Sequence, residues 1–175
     1  MAALASIMIR RLRPADAALY RACRLAGLQE TPSAFGSSFE EERDLPLSAL
    51  EARLAEAADA GFFGAFDGDE LVGLVGLGRE RRAKLAHRGN LISVMVAPRA
   101  RRRGVARALL LEALALARSA SGLRQLTLCV NAGNACAIQL YRSLGFEAFG
   151  REPDALLVDG VLHDEIHMLL RLQAG

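Results

Sequence analysis

Between Val94 and Arg107 the chain reads Val-Met-Val-Ala-Pro-Arg-Ala-Arg-Arg-Arg-Gly-Val-Ala-Arg. A β-branched run stops at a proline, an arginine-rich turn follows, and Gly104 and Ala106 stand where a helix would begin. The first amides of a helix have no partner inside it and carry the positive end of its dipole, so such a junction binds anions. Small residues at 104 and 106 leave those amides uncovered, and Arg101, Arg102, Arg103 and Arg107 add counter-charge for phosphate. The chemistry implied is the holding of a pyrophosphate. It is not that of a nucleotide P-loop, because the chain has no Gly-Lys pair, and a dinucleotide G-x-G-x-x-G is missing too.

A second junction lies from Leu126 to Phe146, where a strand pattern, a turn, a helix and a Gly-Phe entry into another strand follow one another. Asn134 suits the N-cap of that helix. Ala137, Ile138, Leu140, Tyr141 and Leu144 recur at helical spacing. Tyr141 therefore reads either as a core aromatic or as a hydroxyl, with reference pKa near 10, placed to give up a proton.

Both junctions need strands and helices around them. Ile7 to Arg13 reads as a first strand, and Pro14 with Asp16 opens a helix that ends near Gly27–Glu30. Thr31 to Glu42 mixes turn residues with Phe35 and Phe39 and reads as a loop or half-formed helix. A second helix is expected over Ser48 to Asp59. Phe62 to Phe66 and Leu71 to Leu77, joined by Asp67-Gly68-Asp69, form a hairpin signal. Then come a strand from Asn90 to Val96, a helix from Gly104 to Ser119, a strand from Gln125 to Val130, and a helix from Asn134 to Leu144 closed by Gly145. Phe146 to Gly150 and Val161 to Leu170 are the last two strands. The order β-α-α-β-β-β-α-β-α-β-β describes a mixed α/β sheet with helices on both faces.

The 175 residues, 52% apolar and 24% charged, suit one domain over the whole chain and exclude a mainly disordered one. The longest uncharged run, Gln125 to Tyr141, is too polar for a spanning helix, so no membrane partner is expected. At the start of the chain the arginines follow the apolar stretch, the reverse of a secretory leader, which points to the cytoplasm. Cys23, Cys129 and Cys136 have no C-x-x-C spacing and read as free thiols, with no metal site. Arg79 to Arg107 holds ten positive residues against the single Glu80, a net +9 that leaves −7 elsewhere. Such a stripe suits an anionic partner. A nucleic-acid partner is not expected, because the stripe lacks the interleaved aromatics on which bases stack.

The two junctions together resemble the GNAT superfamily of acyl-CoA-dependent N-acetyltransferases. Its pyrophosphate motif, [Q/R]-x-x-G-x-[G/A], is matched by Arg101, Gly104 and Ala106. Its second motif, N-x-x-A-x-x-L-Y…G-F, is matched by Asn134, Ala137, Leu140, Tyr141, Gly145 and Phe146. The resemblance implies a mostly antiparallel twisted sheet with a central, splayed parallel pair, and acetyl-CoA as cosubstrate in the gap of that pair. It places Val94, Met95 and Val96 along the pantetheine arm and thioester. Arg102, Arg103, Gly104, Val105, Ala106 and Arg107 lie around the pyrophosphate, Asn134 on the cofactor arm and Tyr141, as general acid, at the sulfur. A primary amine of a small molecule or peptide would then attack the thioester directly. The alternative is an acetyl-CoA-binding sensor or interaction module without catalysis. Members of the family often dimerise through their C-terminal strands, so a homodimer is also implied.

Departures from the family bear on the acceptor side. The ribosomal-protein branch carries a glutamate base at the position of Cys129, and the histone branch carries one at the position of Asn90; this chain has neither. Two other clusters could orient or deprotonate the amine. One is the acidic run Glu40, Glu41 and Glu42 beside Phe35 and Phe39, read as an exposed helix start or an acceptor site, and the other runs from Leu162 to Met168 with His163, Asp164, Glu165 and His167. Glu40 or Glu41 is expected to bind the amine, and His163 or Glu165 to remove its proton. A shared metal on His163 and His167 is not expected, because four strand residues separate them by about 13 Å.

Overall fold

Phe62 and Phe63 are neighbours in sequence, yet they belong to different cores, because successive strand residues face opposite sides of a sheet. The computed structural model describes residues 7–172, so residues 1–6, on which part of the leader reading rests, lie outside the described residues. Along them run β1 (Met8–Arg11), α1 (Ala17–Glu30), α2 (Phe39–Arg43), α3 (Leu47–Arg53), β2 (Gly61–Asp67), β3 (Glu70–Arg79), β4 (Arg88–Val96), α4 (Val105–Ser119), β5 (Gln125–Asn131), α5 (Ala135–Ser143), β6 (Glu147–Val158) and β7 (Val161–Arg171). The strands form one sheet in the order β1-β2-β3-β4-β5-β7-β6. Neighbours are antiparallel except β4 and β5, which run parallel.

One face is covered by α4 and α5. Leu109, Leu110, Ala113 and Leu114 of α4 are buried on Val72, Val75 and Leu126, and each such leucine contributes about 1.5–3 kcal/mol. The other face carries Tyr20 and Cys23 of α1 and Leu50 of α3, packed on Phe62, Phe66 and Leu74. The edge of Tyr20 meets the Phe62 ring at 5.3 Å. This agrees with the mixed α/β class and with helices on both faces.

Three elements depart from the sequence reading. The helix expected over Ser48 to Asp59 stops at Arg53. The Arg11 guanidinium donates to the carbonyls of both Ala57 and Ala60 and draws them into a tight turn, so a tertiary bond overrides an alanine-rich helical tendency. Phe39–Arg43 is a complete short helix, because Ser38 and Glu41 cap it reciprocally. The strand expected to end at Gly150 continues to Val158 through Pro153. Proline is tolerated there because β6 is an edge strand, and a bulge between Glu152 and Leu156 takes up Asp154 at φ 52°.

Candidate functional site

The parallel pair is short. Arg88 faces Gln125, Gly89 faces Leu126 and Asn90 faces Thr127, after which β4 and β5 separate. The cause is local to β4. Leu74 pairs with Met95 and Gly76 with Ile92, which sets the single Val75 against Ser93 and Val94. Ser93 absorbs the extra residue at φ 56°, and a bulge bends its strand. Val94, Met95 and Val96 thus line one wall of a gap whose other wall is the end of β5.

At the end of that gap sits the arginine turn. Arg102 (φ 62°) and Gly104 (φ 76°) are both left-handed, and Gly104 caps α4 without a side-chain bond. The first bond of α4 runs from the Ala108 amide to the Gly104 oxygen at 3.0 Å, so the amides of Val105, Ala106 and Arg107 ahead of it have no partner within the helix. A Cβ on Gly104 would point into open space, and beside it lies a cavity of about 230 Å³ lined by Val96, Arg101, Gly104, Ala106, Arg107 and Leu140. Amides and the positive end of a helix dipole at such a cavity have the chemistry to hold an anion.

The arginine side chains are largely engaged inside the protein. Arg101 donates to the Val96 carbonyl at 3.0 Å and pairs with Glu30 of α1 at 2.5 Å. Arg103 pairs with Asp67 at 2.8 Å, Arg99 with Glu70 at 2.5 Å, and Arg107 donates to the Ser143 hydroxyl at 2.9 Å. Further along, Asp59 answers both Arg79 and Arg81. Internal acids therefore compensate much of the positive stripe, which weakens its reading as a field for an extended polyanion.

Asn134 caps α5 as its sequence position suggests, with Oδ1 accepting from the Ala137 amide at 3.1 Å, which leaves its amide nitrogen available. Tyr141 is 6% exposed and sits in the core, edge-on to Phe146 at 6.0 Å. Burial pushes its phenol up to about 12. The hydroxyl therefore stays protonated across the neutral range.

On the opposite side of the gap a polar scaffold fixes the α1–α2 segment. Arg24 and Glu42 are both buried, joined by Nη2–Oε1 at 2.9 Å and Nε–Oε2 at 3.1 Å. Arg24 also donates to Ser37 at 3.3 Å and lies over the Phe35 ring at 4.6 Å. Burial pulls the Glu42 carboxyl upward, but the bonds and charge of Arg24, with Ser37 and Arg53, hold it below its usual range. Asn131 at the end of β5 donates to the Ser33 carbonyl at 3.0 Å and ties this segment to the sheet. Phe35 and Phe39 are half-buried rather than exposed. Glu41 is occupied by the Ser38 amide at 2.7 Å, while Glu40 is exposed.

The residues of β5, β7 and β6 on this face form a cluster that sequence reading did not assemble. Cys129 faces His167, and Asn131 faces Glu165, which in turn faces Glu152. The Cys129 sulfur is 3.3 Å from His167 Nδ1, and His167 Nε2 is 2.8 Å from a Glu152 oxygen. Phe149 meets the His167 ring edge-on at 6.0 Å. Burial, with the charges of Glu165 and Glu152, pushes the Cys129 thiol up. Of the acids and imidazoles singled out from sequence, Glu165 and His167 join this cluster. His163 lies further along the same strand, opposite Leu156, and Asp164 is held by Arg151 at 2.6 Å and by the Asp154 amide at 3.0 Å. The missed partner, Glu152, lies opposite Glu165 in a stretch of β6 bounded by two register shifts, one between Ala148 and Gly150 and one between Glu152 and Leu156. No group of three or more potential metal ligands occurs among the described residues.

Comparison with known proteins follows the same lines. The family model for the acetyltransferase (GNAT) family matches residues 26–146, from the end of α1 to Phe146. No curated protein matches the chain in sequence. Among solved structures, a GNAT-family acetyltransferase from Streptococcus pneumoniae superposes with a TM-score of 0.85 at 23% identity, over 96% of this chain and 100% of that one. A ribosomal-protein-alanine N-acetyltransferase from Brucella melitensis gives 0.77 at 28% identity, over 94% and 99%. A Salmonella typhimurium protein solved with its cofactor acetyl-CoA gives 0.80 at 22% identity, over 97% and 96%. With most of its length matched by the family model, and with the splayed pair and the amide turn in place, the chain belongs to the GNAT family of acetyltransferases.

Proposed function

We propose that the protein is an acetyl-CoA-dependent N-acetyltransferase in which a primary amine of a small molecule or peptide attacks the thioester directly. The observation that carries this reading is the pairing of a gap between β4 and β5 with the first amides of α4, from Val105 to Arg107, at its end. Those amides, with Arg101, Arg102, Arg103 and Arg107 around them, suit the pyrophosphate of acetyl-CoA. The backbone of Val94, Met95 and Val96 and the amide nitrogen of Asn134 suit its arm. When bound, acetyl-CoA supplies an activated acyl group, so no metal is needed.

Tyr141 lies on α5, behind the β5 wall. Its phenol, at about 12, is well above the thiol range near 8.5, so it supports the leaving sulfur by donating a hydrogen bond more than by full proton transfer. On the acceptor side, Glu40 is free to attract an ammonium, and Glu165 stands with His163 on β7 as a route for its proton. Positioning of amine against thioester supplies much of the rate. The Brucella relative named for a ribosomal-protein alanine supports keeping peptide amines among the acceptors. Exposed Phe149, Leu157, Val161 and Leu162 on the β6–β7 hairpin support a homodimer through that edge. No described helix is long and apolar enough to cross a membrane.

The test is CoA release from acetyl-CoA against a panel of polyamines, aminoglycosides and peptides with free N-termini. At least one class is expected to turn over. Tight acetyl-CoA binding with no turnover on any amine would favour the silent binding module instead.

A further inference from the structure

Cys129, His167 and Glu152 stand in a row that has the geometry of an activated nucleophile. A thiol lies within hydrogen-bonding reach of an imidazole nitrogen, and a carboxylate holds the other nitrogen. With Nε2–H donated to Glu152, the lone pair of Nδ1 is directed at the Cys129 sulfur. That is the arrangement in which a base takes a proton from a nucleophile while a third group orients the base. The row also lies at the gap. Cys129 is two residues beyond Thr127, the last β5 residue paired with β4, and it alternates onto the same face as Thr127 and Asn131. It is exposed, as is Glu152, so a ligand in the gap can reach it.

We propose that Cys129 is a second acetyl acceptor, which takes the acetyl group from acetyl-CoA to form S-acetylcysteine when no amine is present. The inference rests on the binding of acetyl-CoA in the gap and adds a covalent branch beside direct attack. The Cys129 sulfur bonds to the acetyl carbonyl carbon, and the bond from that carbon to the CoA sulfur breaks. The thiol proton passes to His167 Nδ1, where Glu152 stabilises the imidazolium, and the departing CoA thiolate then takes up a proton from His167 or water. One thioester replaces another, so the exchange is close to thermoneutral and needs no co-reactant. The acetyl group remains activated for an incoming amine. Burial, with the nearby carboxylates of Glu165 and Glu152, favours the thiol form of Cys129, so a neighbouring base has a proton to take.

The experiment incubates the whole protein with acetyl-CoA and no amine, then follows intact mass and peptide maps. The expected result is a single acetyl group on the Cys129 peptide with an equivalent of CoA released. The exposed Cys136, outside the row, reports background reaction and is expected to be labelled at least about 10-fold more slowly. Loss of a general base typically costs 10²–10⁴-fold, so His167→Asn should slow acetylation of Cys129 by about 10²-fold or more, and Glu152→Gln less. A parallel reaction with iodoacetamide and no acetyl-CoA should show the same order of Cys129 alkylation, which ties the effect to the thiol rather than to cofactor binding. If Cys129 stays unmodified, or is labelled no faster than Cys136, while the protein binds acetyl-CoA and acetylates amines, this inference is overturned and the proposed function stands. If acetyl-CoA does not bind at all, both fall.

Discussion

Glu42→Ala is the substitution whose cost can be worked most fully from the structure. The Arg24 and Glu42 side chains are only 6% and 10% exposed, and their shortest contact is 2.9 Å. Removing the carboxylate leaves a guanidinium buried against Phe35 with Ser37 as its remaining polar partner. Breaking a buried pair from one side typically costs about 3–5 kcal/mol, against a total stability of about 5–15 kcal/mol. For a chain of this size that corresponds to a fall in Tm of roughly 6–20 °C, at about 2–4 °C per kcal/mol. Glu42→Gln, which keeps an acceptor oxygen, should lose less, and the double change Arg24→Met with Glu42→Leu should recover much of the loss. The pH dependence has a definite sign. A carboxyl depressed in the folded state contributes stability that is present above the ordinary glutamate value of about 4.3 and is lost as pH falls through the folded value. The stability curves of the parent and Glu42→Ala should therefore converge in acid. Urea unfolding at several pH values is the assay. A loss below about 1 kcal/mol at pH 7, or a gap that does not narrow in acid, would refute the reasoning.

Three further outcomes are expected. Gly104→Asp places a side chain at φ 76°, at a cost of about 1–2 kcal/mol, and a carboxylate over the unpaired amides, so calorimetry should find acetyl-CoA binding weakened at least about 10-fold in a folded protein. Tyr141→Phe should lower kcat by about 10²-fold while acetyl-CoA affinity is retained; equal kcat, with chemistry rate-limiting, would leave Tyr141 as a core aromatic. Alanine variants of Glu40, Glu41, His163 and Glu165 should separate binding from proton removal, the glutamates of α2 raising KM and the β7 residues altering the pH–rate profile. If all four keep the parent kcat/KM and its pH dependence, the amine reaches the thioester by another path.

Local chemistry made the arginine turn ahead of α4 and the cap of α5 legible. Gly104 and Ala106 after an arginine turn, and Asn134 ahead of a helical stripe, are signals within a few residues of one another, and both junctions fold as their spacing requires. The cluster on β5, β7 and β6 was less legible because long-range register sets it. Two bulges reset the register of β6 against β7 around Glu152, which no periodicity announces. Glu42 looked like the last residue of an exposed acidic run, yet it is the buried one, because Arg24, eighteen positions earlier, turns toward it. The early end of α3 has the same origin, in a guanidinium supplied by β1.

The short seam between β4 and β5 also bears on how the chain assembles. β1 to β4 and β5 to β7 each pair within their own half of the chain, whereas three residue pairs join the two halves. Every other pair of neighbouring strands is joined by at least four residue pairs, so the seam is the thinnest join in the sheet and the first to open. A molecule lodged in the gap touches both halves and acts as a splint across them. Amide exchange at Gly89, Asn90 and Leu126 should be faster than at Val72 or Met168, and should slow when acetyl-CoA is added. Equal protection throughout, with or without acetyl-CoA, would mean that the two halves open as one unit.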